Sequence, residues 1–352
     1  MLYDIEAKYI LIMSNSVSPN GFNSSISETY ERNQNVGHVN VIPPKIKIVS
    51  YLASDILYHD NHYKTDILSF LEAYKIEAKV DDLKYQGYIG FSINNELGNN
   101  FLILHYLERN KLASNKNFYH KFMNQTDVSV FVGDIGIHNN VNELSDLKYC
   151  NLSPQPNEST LWYCPFDYVS NGDTIITQLD STNNKINFHT TWKEMLIPSS
   201  VGNSLFFLYI NSSKGKCHII NDNRIGTDNQ GDYIQCDRGF NINTLPTIDI
   251  GISANGLKIH LRPQDIFDNS LTSIIRTQKY ISIWQINMEV IKNYDMYFDY
   301  NNRRIGFREN HIFDIVSPSV DLQPIRKYLV FFNIMILTFS LIILIRIIIK
   351  QQ

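Results

Sequence analysis

The sequence predicts an all-β body followed by a single transmembrane helix. Three observations carry this: short apolar runs recur at brief intervals, β-branched and aromatic residues abound beside only 11 Pro and 16 Gly, and one uninterrupted apolar stretch closes the chain. The runs lie at 45–57, 128–133, 173–178, 204–210 and 247–252. Turn residues separate them, at Pro43-Pro44, 94–98, Asn139-Asn140, Asn183-Asn184, 221–231 and Asn301-Asn302. Helical spacing is confined to 101–111, through Phe101, Leu104 and Leu107, and to a short segment at 288–293. No repeat of 20 to 50 residues is present.

The C-terminal stretch, Tyr328 to Ile345, carries no charge, and Ile347 to Ile349 extend it past Arg346, whose long side chain can snorkel to the interface. It is apolar all round, which fits a bilayer and not a helix with one solvated face. A membrane helix is therefore expected over 328–349, after a linker at 313–327. Arg326 and Lys327 precede it while Arg346 and Lys350 follow it, so flanking charge does not orient it. Residues 1–14 interrupt their apolar residues with Asp4, Glu6 and Lys8 and contain no signal peptide. Taken literally, that describes a tail anchor with a cytosolic body; a first exon ahead of Met1 would reverse it.

At 352 residues and 43% hydrophobic content the chain can bury a full core. Its 31 basic and 35 acidic side chains are interleaved and leave a net charge of −4, which offers no basic stripe to a phosphate backbone and excludes nucleic acid as a partner. The four cysteines, Cys150, Cys164, Cys217 and Cys236, suit either two short-loop disulfides or four buried thiols. Glycan acceptor triplets begin at Asn23, Asn124, Asn151, Asn157 and Asn211 and point to a lumenal or extracellular face, although an Asn-rich chain also produces such triplets by chance. His59 and His62, spaced by Asp60 and Asn61, read as turn residues, so no metal site is expected, and no cofactor either. Trp162 and Trp284 lie on strand-like segments and read as core.

Several segments resemble the pepsin-like aspartic proteases. Leu245-Pro246-Thr247-Ile248 with the hairpin through Gly256 to His260-Leu261-Arg262-Pro263 is similar to a landmark of the C-terminal lobe. Asn293-Tyr294, Tyr297-Phe298-Asp299 and Asn301 to Phe307 resemble the family's closing signature. In the first half, Leu52 to Asp55, Gly87 to Phe91 and Val132 to Ile135 resemble three further landmarks, all in family order. The resemblance implies a bilobal pepsin-like double β-barrel, with an incomplete N-terminal lobe at 1–140 and a C-terminal lobe at 141–312. It also implies a Cys217–Cys236 disulfide. Cys150 with Cys164 is the second pairing, opposed by Pro154 and Pro156, which favour an extended segment.

Such enzymes need two carboxylates that share a proton, each in an Asp-Thr/Ser-Gly triplet whose Gly lets two backbones approach closely. Counting from Ile10 to Ser14 places Asp4-Ile5-Glu6 on the first triplet, so the Asp remains and its Thr and Gly do not. Counting back from Leu196 to Ser200 places His189-Thr190-Thr191 on the second, with an imidazole where the second carboxylate belongs. Pro43 and Pro44 fall where the flap's Tyr and Gly belong, and Gln285-Ile286-Asn287-Met288 replaces a fourth motif. Trp192 stands where the second motif has a small residue and is placed to plug the cleft. A working enzyme would have to pair Asp4 with a displaced carboxylate such as Asp180 or Glu194, and nothing in the local sequence recommends either. The expectation is a catalytically inactive, membrane-anchored pseudoprotease that binds a protein, within a membrane assembly or alone. The resemblance by itself implies a membrane-anchored aspartic endopeptidase of the secretory pathway or cell surface.

Overall fold

The computed structural model describes residues 2–4, 10–18, 21–42, 46–58, 64–77, 87–93, 102–123, 128–133, 146–152, 162–179, 184–190, 194–221, 231–279, 281 and 283–310. Met1–Asn310 forms one compact unit and His311–Gln352 a second. The expected linker and membrane helix belong to the second and lie outside the described residues; among those described, no helix is long and apolar enough to cross a membrane.

Strands dominate the body. The first half runs through β1 (Leu2–Asp4), β2 (Leu11–Met13), β3 (Glu31–Ile42), β4 (Ile46–Tyr58), β5 (Lys64–Glu77) and β6 (Gly87–Gly90). Helix α1 (Ile103–Arg109), β7 (Phe118–Phe122) and β8 (Val128–Val132) follow. The second half opens with β9 (Lys148–Asn151), β10 (Cys164–Pro165), β11 (Tyr168–Asn171), β12 (Thr174–Gln178), β13 (Lys185–Phe188) and β14 (Met195–Pro198). It continues through α2 (Ser199–Ser212), β15 (Cys217–Ile220), β16 (Tyr233–Cys236), β17 (Ile248–Ile252), β18 (Leu257–Leu261) and α3 (Pro263–Ile266). It closes with β19 (Ile275–Gln278), β20 (Ile283–Ile286), α4 (Met288–Ile291), β21 (Tyr294–Asp299) and β22 (Arg304–Glu309).

One apolar run departs from its expected form, since 204–210 is helical and belongs to α2. Its aromatic content reads as strand, but Val201, Leu205 and Tyr209 fall at successive four-residue intervals and are all buried, while Phe207 between them is exposed. Pro198, at the N-cap, ends β14 and presets the first turn. Gly202 lets the helix lie against β19, because a Cβ there would collide with the Thr277 side chain.

Four strands of each half repeat one arrangement. In the first half β6 lies between β1, to which it is parallel, and β2, to which it is antiparallel, and β2 is in turn parallel to β5. In the second half β20 lies between parallel β13 and antiparallel β14, and β14 is parallel to β19. The registers can be superimposed. Leu11 faces Tyr88 and Leu71 as Leu196 faces Gln285 and Arg276. Tyr88 faces Leu2 as Gln285 faces Asn187. The repeat is too long and too divergent to register as a sequence period.

A five-stranded antiparallel sheet, β8-β7-β21-β22-β9, draws strands from both halves. At its centre Phe118 faces Phe298, with rings stacked at 4.3 Å, and Tyr119 faces Tyr297. Trp162 packs edge-on against both phenylalanines and donates its indole N–H to the Phe91 carbonyl at 2.8 Å. Below the sheets a continuous apolar core runs through Phe166, Phe188, Ile197, Leu205, Trp284 and Ile286, while a smaller core at Ile10, Ala53, Leu68, Phe70 and Tyr106 fills the first half.

Candidate functional site

The repeat fixes which residues of the two halves correspond. Two positions beyond Leu2 stands Asp4, facing Gly90; two positions beyond Asn187 stands His189. The ladder continues to that point, for the His189 N–H donates to the Ile286 carbonyl at 2.8 Å. Backbone register alone therefore equates Asp4 with His189, the same pair that motif counting equates. His189 and Thr190 are buried. The Asp4 side chain, Glu6, Thr191, Trp192, Pro43, Pro44, Asp180, His59 and His62 lie outside the described residues. Glu194 makes an ion pair with Arg276 at 3.2 Å, so its carboxylate is already engaged.

The sheet around His189 has two unlike faces. Side chains alternate along a strand, and in-register partners on neighbouring strands point the same way. Ile186 and Phe188 of β13 with Trp284 and Ile286 of β20 enter the apolar core. The opposite face therefore carries Asn187 and His189 from β13 and its continuation, with Gln285 and Asn287 from β20 and the residue after it. Asn187, His189 and Asn287 are buried and Gln285 is half-buried. In the first half the corresponding positions are Leu2, Asp4, Tyr88 and Gly90, so the polar cluster has no counterpart there.

Two long strands, β3 and β4, pair as a hairpin, and Pro43 and Pro44 fall between them in the sequence, outside the described residues. The hairpin is not free-standing, because β4 pairs with β5 from Lys47↔Glu77 to Tyr58↔Lys64. Side chains fasten it further. Arg32 reaches across β4 to the Glu72 carboxylate of β5 at 2.9 Å, and its Nε donates to the Tyr30 hydroxyl at 2.8 Å. That hydroxyl also donates to Glu72, and its burial, reinforced by this bond, pushes the Tyr30 pKa up to about 12. The Arg32 guanidinium lies 4.5 Å over the Tyr51 ring, which stacks on Tyr74 at 3.9 Å. Nearby Asp55 accepts from Ser27, Thr29 and the Ile56 N–H.

Both cysteine pairs are bonded. Cys217–Cys236 joins opposite residues of the β15–β16 hairpin, and Cys150–Cys164 joins β9 of the shared sheet to β10. The extension expected from Pro154 and Pro156 does not prevent the second bond. Of the glycan acceptors, Asn151 and Asn211 are exposed, and Asn23 caps a short turn by accepting from Ser25. Asn124 and Asn157 lie outside the described residues. Among the described residues no group of His, Cys, Asp or Glu is arranged to hold a metal.

Three features escaped sequence reasoning: the amide cluster beside His189, the Glu72 anchor, and a neutral buried histidine. His120 of β7 lies in the shared sheet, where burial pushes its pKa down to about 4. The alternation of polar with apolar residues in 186–189 and 284–287 carried the signal for the first; the other two rest on non-local packing. No protein-family model matches the chain, and no curated protein matches it.

Proposed function

We propose that the chain is a catalytically inactive, membrane-anchored relative of the pepsin-like aspartic proteases that binds a polypeptide instead of cutting it. The observation that carries this is the register equivalence of Asp4 and His189. Proton sharing between two like carboxylates is what lets one act as base on water and the other as acid on the substrate. A carboxylate and an imidazole attract each other instead, and the pair activates no water symmetrically.

The scaffold features support the same reading. The two four-strand repeats and the sheet built from both halves are the organisation expected of a bilobal body. The β3–β4 hairpin corresponds to the flap, and its pairing with β5 and its anchor at Glu72 suit a fixed wall better than a moving lid. Two disulfides that engage all four cysteines suit an oxidising compartment, which supports a lumenal or extracellular body held by a helix over 328–349. The partner is then a protein met at or near the membrane surface.

The test is a peptidase assay on the full chain in mild detergent across pH 3 to 7, with and without pepstatin, beside endoglycosidase treatment of the native protein. No cleavage, no pepstatin binding and a shift on deglycosylation are expected. Pepstatin-sensitive cleavage would establish the endopeptidase reading in its place.

A further inference from the structure

Phe207 is 66% exposed, the largest apolar side chain left facing water among the described residues. It stands on the outer face of α2. Val201, Leu205 and Tyr209 form the buried stripe of that helix, and Asn203, Phe207 and Asn211, at the same four-residue spacing two positions on, are all exposed. Asn211 opens the acceptor triplet Asn211-Ser212-Ser213. Side chains on a helix lean toward its N-terminus, so a group attached to Asn211 lies over the turn that holds Phe207. The coincidence recurs elsewhere. Of six large apolar side chains exposed among the described residues, Ile26, Met123 and Phe207 each lie within four residues of a glycan acceptor, at Asn23, Asn124 and Asn211. Single apolar side chains are tolerated in water, but their gathering at acceptors points to cover supplied from outside the polypeptide.

We infer that Asn211 carries an N-linked glycan whose first sugar lies on the Phe207 ring. This rests on the lumenal or extracellular body proposed above, since the transfer takes place in that compartment. In the transfer the Asn211 amide nitrogen bonds to the anomeric carbon of a lipid-linked oligosaccharide and loses one proton. The bond from that carbon to the lipid pyrophosphate breaks, and the pyrophosphate leaves with the electron pair, so no oxidant or reductant is needed. An N-acetylglucosamine ring presents C–H groups on its face and hydroxyls at its rim, so it covers an aromatic ring while its hydroxyls stay in water. The fold also fixes the order of events. Ser213, the hydroxyl residue of the triplet, is 3% exposed; its Oγ donates to the Ile210 carbonyl at 2.8 Å and accepts from the Cys217 N–H at 3.0 Å. The hydroxyl that a transferase must read is therefore closed away once α2 and β15 have formed, while Asn211 stays exposed. Transfer precedes folding of this corner, and the glycan then settles on Phe207.

The full chain is recovered from its own membranes in mild detergent and treated, in heavy-oxygen water, with an amidase that removes whole N-linked glycans. Peptide mass spectrometry then marks each formerly glycosylated Asn as a labelled Asp. Label at Asn211 is expected, and Asn211→Gln should lack one mobility step of the native chain before treatment. Thermal unfolding before and after the amidase reads the contact with the ring. The loss of midpoint on deglycosylation should be roughly 2 °C smaller in Phe207→Ser, which keeps the acceptor, than in the native chain. Label at other acceptors with Asn211 bare would overturn the inference and leave the lumenal body standing. Bare asparagine at every acceptor would overturn the lumenal body together with the inference. Label at Asn211 with equal losses in the native chain and Phe207→Ser would overturn the contact with Phe207.

Discussion

Replacing Arg32 with Met should cost considerably more than replacing Glu72 with Met, although each change removes the same ion pair. The asymmetry follows from burial: the Glu72 side chain is 0% exposed and the Arg32 side chain 38%. Without Glu72, the guanidinium returns to water it already partly touches and loses about 1 kcal/mol of attraction. Without Arg32, a fully buried carboxylate keeps the Tyr30 hydroxyl as its donor, and Glu72 Oε1 already lacks a partner among the described residues. Stranding a buried charge in this way costs about 3 to 5 kcal/mol; partial exposure of the lost partner argues for the lower end, about 3 kcal/mol. The double variant should resemble Glu72→Met, which gives a coupling of about 3 kcal/mol in the cycle.

Amide hydrogen exchange of the full chain in detergent reads this locally. The anchor ties β3 to β5 across β4, so Arg32→Met should speed exchange through 46–58 by roughly a hundredfold at neutral pH, while strands of the second half stay protected. Equal effects of the two single changes, or strict additivity in the double variant, would refute the argument, and with it the view that the hairpin is pinned from β5.

Three other outcomes are expected. Cys217→Ala with Cys236→Ala opens a loop closed across 19 residues and should lower stability by about 3 kcal/mol, read by the fluorescence of buried Trp162 and Trp284 during urea unfolding. His120 has a folded pKa of about 4, below the ordinary value of about 6.5, so the unfolded chain binds the extra proton between the two. Stability is therefore lost as pH falls through that window, by up to about 3 kcal/mol, and His120→Leu should remove that loss from an acid titration. His260 behaves oppositely: hydrogen bonds to Asp249 at 2.6 Å and to Glu309 at 3.0 Å raise its pKa. Its contribution, about 1 kcal/mol for a partly exposed group, is present below the ordinary histidine range and is lost as pH rises through the raised value. His260→Asn should therefore differ from the native chain in acid and match it in alkali.

The strands were legible because alternation and turn residues are local signals: the runs at 128–133, 173–178 and 247–252 all appear within a residue or two of their expected bounds. The helix at 199–212 was not, because its apolar residues are aromatic and continuous enough to mimic a buried strand, and only the four-residue spacing of Val201, Leu205 and Tyr209 separates the two. His189 was singled out by counting from Leu196, and the structure shows it buried, with its N–H continuing the β13–β20 ladder. Glu72 was not legible, because its partner Arg32 lies two strands away and no local pattern marks a carboxylate for burial. The pairing of Cys150 with Cys164 stayed open for a similar reason, as it depends on where β10 comes to lie beside β9.

On the proposed inactive reading, restoring one carboxylate should not restore an enzyme. His189→Asp places a carboxyl on a buried position whose strand neighbours are Asn187 and Asn287 rather than the apolar and glycine residues of the first half. Burial raises the pKa of that carboxyl, and a second carboxylate at Asp4, if near, raises it further, so a shared proton becomes attainable in principle. Yet sharing requires the two loops to touch. On the proposed alignment Glu6 falls where the family has a glycine that allows that approach, and Thr191 where it has the second, so each loop would carry a side chain in the space the other backbone needs. The same alignment puts Pro44 in place of the flap's glycine and Pro43 in place of its hydroxyl donor. The expected result is a folded variant with no pepstatin-sensitive cleavage from pH 3 to 7, while the combined change of His189→Asp, Glu6→Gly and Thr191→Gly is the smallest set that addresses the dyad geometry. Cleavage by His189→Asp alone would mean that the loops already meet and that a single residue separates this chain from a protease.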